Sequence, residues 1–419
     1  MPNYKGLEYL RNKLISKRTR VLARYEFYEM KDSSDAYSPI IPVQLKALYR
    51  STLGWCAKGV DAMADRLVFR EFKNDDFEMG TIYKMNNPDT LFDSAIVGAL
   101  IGSCSFIYIS PDPVTKYPRL QVIDGSNATG IADPITGMLT EGYAVLERDT
   151  ETDAPILEAY FIPGRTTFIT SKRTWSQRNP AKYPLLVPVV YRPDARRPFG
   201  HSRISRTCMY LQSYAKRVLE RSDVSAEFYS FPQRYVLGTD PAAESLDKWK
   251  AMMTSILEFT KDDNGDHPVV GSFQPQSMTP FLDQLRAAAA MFSGETGLTL
   301  DDLGFVTDNP SSSEAIKAAH ESLRSAMRRA QRTFGTGFLN AGYLAACVRD
   351  EFGYERRQVY NTKVCWEPLF EPDAAMLSAI GDGAYKINQS VPGYFNTDNL
   401  QSLTGIDASE MEPPATEKE

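Results

Sequence analysis

A chain of 419 residues that is 42% hydrophobic and 24% charged, with a net charge of −6, can bury a sizeable core and form two or three structural regions. Its five cysteines, Cys56, Cys104, Cys208, Cys347 and Cys365, are scattered without a C-x-x-C pair or a matching histidine spacing, so neither a zinc site nor a disulfide framework is indicated and a reducing cytoplasm suits them. Met1 to Leu14 lacks the apolar centre of a signal peptide, and the longest apolar runs, such as A-I-V-G-A-L-I-G (95–102), are too short to span a bilayer, so no membrane partner is expected.

Residues 4–29 read as a basic amphipathic helix with Leu7, Leu10, Leu14, Val21 and Leu22 on one side, ending in R-Y-E-F-Y-E (24–29). After a turn-rich segment holding Pro39 and Pro42, a second helix is expected over 43–67 and gives way to a strand at L-V-F-R-E-F (67–72). A third, rich in small residues, covers 89–102. Period-two alternation then predicts strands at 105–110, 119–124, 142–147, 157–162, 166–170 and 187–191, with D-P-I-T-G (133–137) as a tight turn between two of them.

The pattern returns to helix after P-F-G-H-S and continues to Phe231, where Pro232 breaks it. The next stretch, 233–276, reads as strand (234–238), helix (243–259) and strand (268–273), and a helix over 280–292 mirrors the one before it. Two helices flanking a small α/β unit describe a stalk carrying a tip. The loop L-G-F-V-T-D-N-P (303–310) follows, then a capping box from Ser311 to Glu314 opens a long helix running to Asp350. Ile316, Ala319, Leu323, Met327, Ala330, Phe334, Phe338, Ala341, Ala345 and Val348 form its apolar stripe. A strand at 359–366, helices near 373–388 and 397–404, and a charged tail complete the chain.

Charge is unevenly distributed. Between Arg165 and Arg206 ten basic residues face Asp194 alone, a local +9, whereas 367–419 carries −8. The basic stretch lacks clustered aromatics for stacking bases, which favours contacts between subunits over a nucleic-acid surface.

Catalytic signatures are absent: there is no phosphate loop, no G-x-S-x-G elbow, no H-E-x-x-H and no dinucleotide fingerprint, and only His201, His267 and His320 are available for acid–base work. His201 reads as a loop or capping histidine and His320 as a helix-surface one. D-D-N-G-D-H (262–267) imitates a calcium loop, but His267 stands where glycine is required and Phe273 where the closing glutamate belongs. Asp301 and Asp302 stand together without the further acids a metal site needs. No catalytic residue, metal or cofactor is therefore expected.

The order of these pieces resembles the portal, or head-to-tail connector, proteins of tailed bacteriophages. The resemblance is carried by R-Y-E-F-Y-E (24–29), L-G-W-C-A-K-G-V-D-A-M-A-D-R-L (53–67), P-R-L-Q-V-I-D with D-P-I-T-G (118–137), P-F-G-H-S-R-I (198–204) and G-L-T-L-D-D-L-G with N-P-S-S-S-E-A-I (297–316). It departs from the family in a short C-terminal region and at Met30, where members often have glycine. The resemblance implies an α+β portal-type fold with wing (1–200 and 313–366), stem helices (201–231 and 279–297), clip (232–278), tunnel loop (298–312) and crown or tail segment (367–419). It further implies a homo-oligomeric ring of about twelve subunits at one capsid vertex, assembled in the host cytoplasm, through which double-stranded DNA passes during packaging and ejection. The implied partners are the terminase large subunit, head–tail adaptor proteins and a capsid or scaffolding protein, and a separate ATPase would supply the energy.

On that reading Phe305, Val306, Thr307, Asp308 and Asn309 would meet DNA without gripping it, since none is cationic, while Gly304 and Pro310 act as hinges. Trp249 and Phe259 would belong to a partner-docking clip or to the clip's own core. Two other classes share parts of the pattern: another neck or tail protein, which should lack the stalk and tip, and a metal-dependent DNA-processing enzyme, which would need convergent carboxylates.

Overall fold

The near-continuous apolar run in C-S-F-I-Y-I-S suits a strand covered on both faces, and six of the seven residues of β2 (Cys104–Ser110) are buried. The protein is seen in a computed structural model that describes residues 4–32, 50–230, 234–237, 269–272, 277–305, 318–370 and 374–406. The first part of the chain forms α1 (Leu7–Tyr28), α2 (Trp55–Ala64), β1 (Phe69–Lys73), α3 (Met79–Lys84) and α4 (Pro88–Gly102). After β2 come β3 (Arg119–Asp124), β4 (Ala128–Ala132), β5 (Leu139–Arg148), β6 (Pro155–Ile162), β7 (Arg165–Ile169), β8 (Thr174–Arg178) and β9 (Leu186–Val190). The remainder forms α5 (Arg206–Ser230), β10 (Arg234–Leu237), β11 (Val269–Ser272), α6 (Thr279–Thr296), α7 (Glu321–Arg349), β12 (Lys363–Trp366), α8 (Ala374–Ser390) and α9 (Thr397–Thr404).

β2 is the centre of a three-stranded antiparallel sheet, order β3-β2-β9. On one face the Ser105 hydroxyl donates to the Ala95 carbonyl of α4 at 2.6 Å, and Phe92 of α4 meets Phe338 of α7 edge-on at 4.7 Å. On the other face Tyr108 packs on Phe161 at 5.4 Å, which brings in the antiparallel five-stranded sheet β4-β5-β6-β7-β8. The body is thus helices, small sheet, large sheet. α1 covers part of the outer side of the large sheet by placing Leu10 and Leu14 on Tyr143 and Val145. Its entry is fixed by buried Glu141, whose carboxylate accepts from the Lys5 and Gly6 backbone N–H groups at 2.7 and 2.9 Å and from the Tyr160 hydroxyl at 2.8 Å. A carboxylate from another strand thereby satisfies donors at the start of the helix and suits its dipole.

α7 is the helix around which the body closes. Leu323, Met327, Ala330, Phe334, Phe338, Ala341 and Ala345 of the expected stripe are all 0% exposed, and 29 residues give it a length of about 44 Å. Small residues set its distances to its neighbours: a Cβ on Gly337 would lie 3.2 Å from the Val189 Cα of β9, and one on Gly342 would lie 2.9 Å from Met79 of α3. The expected stripe extends too far at one end. Ala319 is exposed, and a turn at His320 separates it from α7. The expected start at Ser311 to Glu314 lies outside the described residues.

Other differences have local causes. The helix expected over 43–67 is seen only from Trp55 to Ala64; residues 43–49 lie outside the described residues, and 50–54 are not helical. There the Ser51 hydroxyl donates to the Lys216 carbonyl at 3.0 Å, a side-chain bond that draws the chain away from helix. α3, β4 and β8 carried no signal: α3 is only six residues long, β4 is mostly Ala and Gly, and every residue of β8 is exposed, leaving no alternation to detect. The strand expected over 359–366 is a short 3-10 turn (Arg356–Val359) followed by β12, paired with β1.

Met30 occupies the left-handed region at φ 57, which a side chain enters at a cost of about 1–2 kcal/mol, and it is 45% exposed. Glycine removes that strain at an unfolded-state entropy cost of about 0.5–1 kcal/mol. Met30→Gly is therefore expected to raise stability by about 0.5–1 kcal/mol, measured as a higher urea midpoint at unchanged slope. A lower midpoint would show that the contact of Met30 with Gly54 outweighs the strain.

Candidate functional site

Three parts of the chain converge where α5 leaves the body, α6 returns to it and the segment after α6 begins. The turn before α5 is built by P-F-G-H-S-R-I. Gly200 has φ +70, and a Cβ there would overlap the Tyr191 carbonyl oxygen at 2.0 Å, so only glycine fits. The His201 backbone N–H donates to that same carbonyl at 2.9 Å, and the His201 ring lies 2.6 Å from the Asp194 carboxylate. That contact holds the Asp194 carboxyl below its usual range. The Ser202 hydroxyl donates to the Ile101 carbonyl at 2.6 Å. Arg203 then joins two elements, donating from Nε to the Gly59 carbonyl of α2 at 2.7 Å and from Nη2 to the Thr296 carbonyl at the end of α6 at 2.6 Å.

Apolar and ionic contacts extend this root. Trp55 of α2 and Phe292 of α6 lie 5.6 Å apart. The Gln212 side chain of α5 accepts from the Cys56 N–H at 2.7 Å and donates to the Phe27 carbonyl at 3.3 Å. One turn later Lys216 donates from Nζ to the Asp32 carboxylate at 2.9 Å and to the Asp32 carbonyl at 3.0 Å. Both side chains are nearly closed to water, 8% and 2% exposed. Cys56 and Cys208 are buried here, and burial pushes both thiols up, away from the reactive thiolate.

The segment after α6 starts from the same root. Gly297 ends the helix at φ +73, and a Cβ there would meet Ser322 Oγ at 3.0 Å and the Leu323 nitrogen at 3.2 Å, so the end of α6 sits directly on the start of α7. Leu298 is buried. Asp302 accepts from the Thr299 N–H and hydroxyl, each at 2.8 Å, and lies 3.9 Å from His320 Nδ1. Its carboxylate is occupied in holding a 3-10 turn (Asp301–Leu303) that Gly304 closes at φ +87. The Phe305 N–H donates to the Leu300 carbonyl at 3.0 Å, and the Phe305 ring is half-buried against the core.

Of the residues expected to face DNA, Phe305 and Gly304 thus sit at the anchored first end of the loop. Val306, Thr307, Asp308, Asn309 and Pro310 lie outside the described residues, as do Trp249 and Phe259 of the expected clip. The described remainder of that unit is the antiparallel pair β10–β11, Arg234 opposite Ser272. Arg203, Gln212, Lys216 and Asp32 were not singled out from the sequence; only Arg203 stood within a quoted motif. Among the described residues no group of three or more His, Cys, Asp or Glu is arranged to hold a metal ion, and no helix is long and apolar enough to cross a membrane.

No family model matches the chain. Over 409 residues it is 24% identical to the portal protein of Mycobacterium phage D29, an alignment covering 92% of this chain and 82% of that protein. It is likewise 24% identical to the portal protein of Mycobacterium phage L5, with the same coverage. Solved structures similar to it include a chain in the neck of a native GTA particle computed with C12 symmetry, at 13% identity, 94% and 99% coverage and a TM-score of 0.46. Another is a chain in the virion of a native gene transfer agent particle, at 12% identity, 92% and 99% coverage and a TM-score of 0.43.

Lys216→Met leaves the Asp32 carboxylate buried without its cation and is expected to cost about 3–5 kcal/mol. Adding Asp32→Leu should recover most of the loss, because two apolar groups replace the pair. Denaturant unfolding of the two variants checks this; equal losses would show that the ion pair does not hold the root together.

Proposed function

We infer that this chain is the portal protein of a tailed phage, the connector between head and tail. The likeness to two phage portal proteins over 92% of the chain carries the reading. The motifs quoted from the sequence supply its physical content: P-F-G-H-S-R-I and G-L-T-L-D-D-L-G build the two junctions where a helical pair is rooted in the body.

In this reading the subunits form a ring of about twelve copies at one capsid vertex, around a channel for double-stranded DNA. The ring is supported by what one copy leaves uncovered. On α8 and the chain after it Tyr385, Ile387, Val391, Tyr394, Leu403 and Ile406 are 41–67% exposed, and Ala384 is the one buried residue among those described on α8. Helices with so little core of their own need an apolar neighbour. A heterologous contact repeated around a closed ring supplies one at every copy.

The segment 306–310 is the part we place against DNA, with α7 as its fixed base and the 3-10 turn as its mooring. It carries no cation, so it grips no phosphate, as a sliding contact requires. The pair β10–β11 and the residues between them form the clip to which the terminase and the head–tail adaptors dock. The chain works structurally and a separate ATPase drives packaging.

Native mass measurement is expected to give a species near twelve times the 47.0 kDa chain, with an axial hole in electron micrographs. Monomer or dimer alone, at every protein and salt concentration, overturns the ring. The double change Asp308→Lys with Asn309→Lys should slow DNA packaging several-fold, most at low salt, where added phosphate contacts are tightest. Normal rates with no new salt dependence would remove the segment from the DNA path.

A further inference from the structure

A cavity of about 410 Å³ opens between the β7–β8 end of the large sheet, the end of β2 and the C-terminal end of α7. Its polar walls are built but not matched among the described residues. Thr166 is only 3% exposed, and its hydroxyl is buried with no hydrogen-bond partner. The Asn179 Nδ2 is likewise buried without one. The orientation of that amide is fixed, because its Oδ1 accepts from the Ala181 N–H at 3.1 Å, so the NH₂ end is the free one. Leaving such groups unpaired costs about 1–3 kcal/mol each, which a guest bearing acceptor oxygens would relieve.

Charge points the same way. Arg178, on the cavity rim, lies directly across the ladder from Arg165. Neither has an ion-pair partner among the described residues, and like charges opposed across a ladder repel. Both belong to the stretch with a local +9, while the excess acid of the chain lies in its C-terminal part, −8 over 367–419. The one carboxylate on the rim, Glu351, is exposed and screened by water. A group with donors on its floor and an unpaired guanidinium at its mouth fits a carboxylate.

We propose that this cavity receives an acidic side chain, Asp or Glu, from the adjacent copy of the chain in the ring. The free donor atoms show almost no surface of their own, so the Thr166 and Asn179 side chains that line the cavity must turn slightly to meet a guest, and the guest must be free to follow them on a flexible stem. A glutamate has one; a phosphate fixed in a DNA duplex does not. The guest carboxylate accepts from the Asn179 amide and the Thr166 hydroxyl while Arg178 closes over it. The assignment rests on the ring reading above and adds to it the contact that selects one neighbour orientation.

Two variants of the full chain separate this role from a structural one. Asn179→Asp keeps the acceptor used by Ala181 but replaces the free donor by a negative oxygen. Thr166→Val removes a hydroxyl that has no partner among the described residues, so the isolated subunit should be as stable as the wild type or more so. In sedimentation velocity at low salt, both should raise the concentration of half-assembly about tenfold or more, and Thr166→Val should do so without lowering the thermal midpoint of the unassembled chain. Assembly of either variant at the wild-type concentration overturns the proposal. If the wild type forms no ring at all, the ring reading fails and a ligand titration decides the cavity alone. N-acetylglutamate should then raise the wild-type thermal midpoint and leave Asn179→Asp unmoved. No shift, a shift retained in the variant, or a shift produced equally by inorganic phosphate, ends the proposal.

Discussion

The close approach of three elements to one helix is the constraint on which the body depends. α7 buries its whole stripe from Leu323 to Ala345, and β9, α3 and β12 touch it where glycine leaves room for a backbone, a methionine or a valine. Buried tyrosine hydroxyls then fix the register along the axis. Tyr83 of α3 donates to the Phe338 carbonyl at 2.7 Å, and Tyr343 of α7 donates to the Tyr354 carbonyl at 2.8 Å. Burial pushes both hydroxyls above the usual tyrosine range, so each remains a donor at any pH the protein meets. A helix held this way behaves as a rod, because interiors packed at crystal density leave little room to slide. The large sheet is coupled to that rod through β9 and the small sheet, and the small sheet through α4.

The rod matters because the two junctions of the helical pair lie near its start. Gly297 places the end of α6 on Ser322 and Leu323, and Arg203 places the start of α5 on the same end of α6 through the Thr296 carbonyl. Lys216 ties α5 to the chain just after α1. Its carbonyl also receives the Ser51 hydroxyl, so both described flanks of 33–49 meet α5 at one residue. Movement of the helical pair would therefore act on α1, α2 and α7 at once. Charged and polar side chains do this work rather than apolar ones: Arg203 and Gln212 each join two elements, and Lys216 makes two bonds to Asp32, whose other carboxylate oxygen is buried without a partner.

The sequence was most legible where period and burial coincide. α1, α4, β2, β5, β6 and the α7 stripe are regular, long or fully buried, and pattern alone located them within a few residues. β8 was invisible because it faces water throughout, and β4 because Ala and Gly have weak strand preference. α2 was overextended because the helical period was carried through residues 50–54, which are not helical. The candidate site was legible only in its glycines and turns. Its decisive contacts, Arg203 to Gly59 and Thr296, Lys216 to Asp32 and Gln212 to Cys56, join residues 93 to 184 positions apart, and no local spacing encodes such pairs.

A different regularity emerges from where the chain leaves its chemistry unfinished. Buried Glu141, Gln212 and Lys216 and half-buried Arg203 all have partners. Elsewhere the chain leaves polar and apolar groups open. The last strand of the large sheet is exposed along its whole length, its Arg178 stands opposite another arginine, and Thr166 beside it has an unpaired hydroxyl. The C-terminal helices keep large apolar side chains in water. Sheet edges of monomeric proteins are normally blunted, and large apolar patches avoided, because both invite association. Two such features at separate places, one basic and polar, the other apolar and set in the acidic part of the chain, are what a head-to-tail contact between identical copies requires: each copy needs one surface to give and a different one to receive.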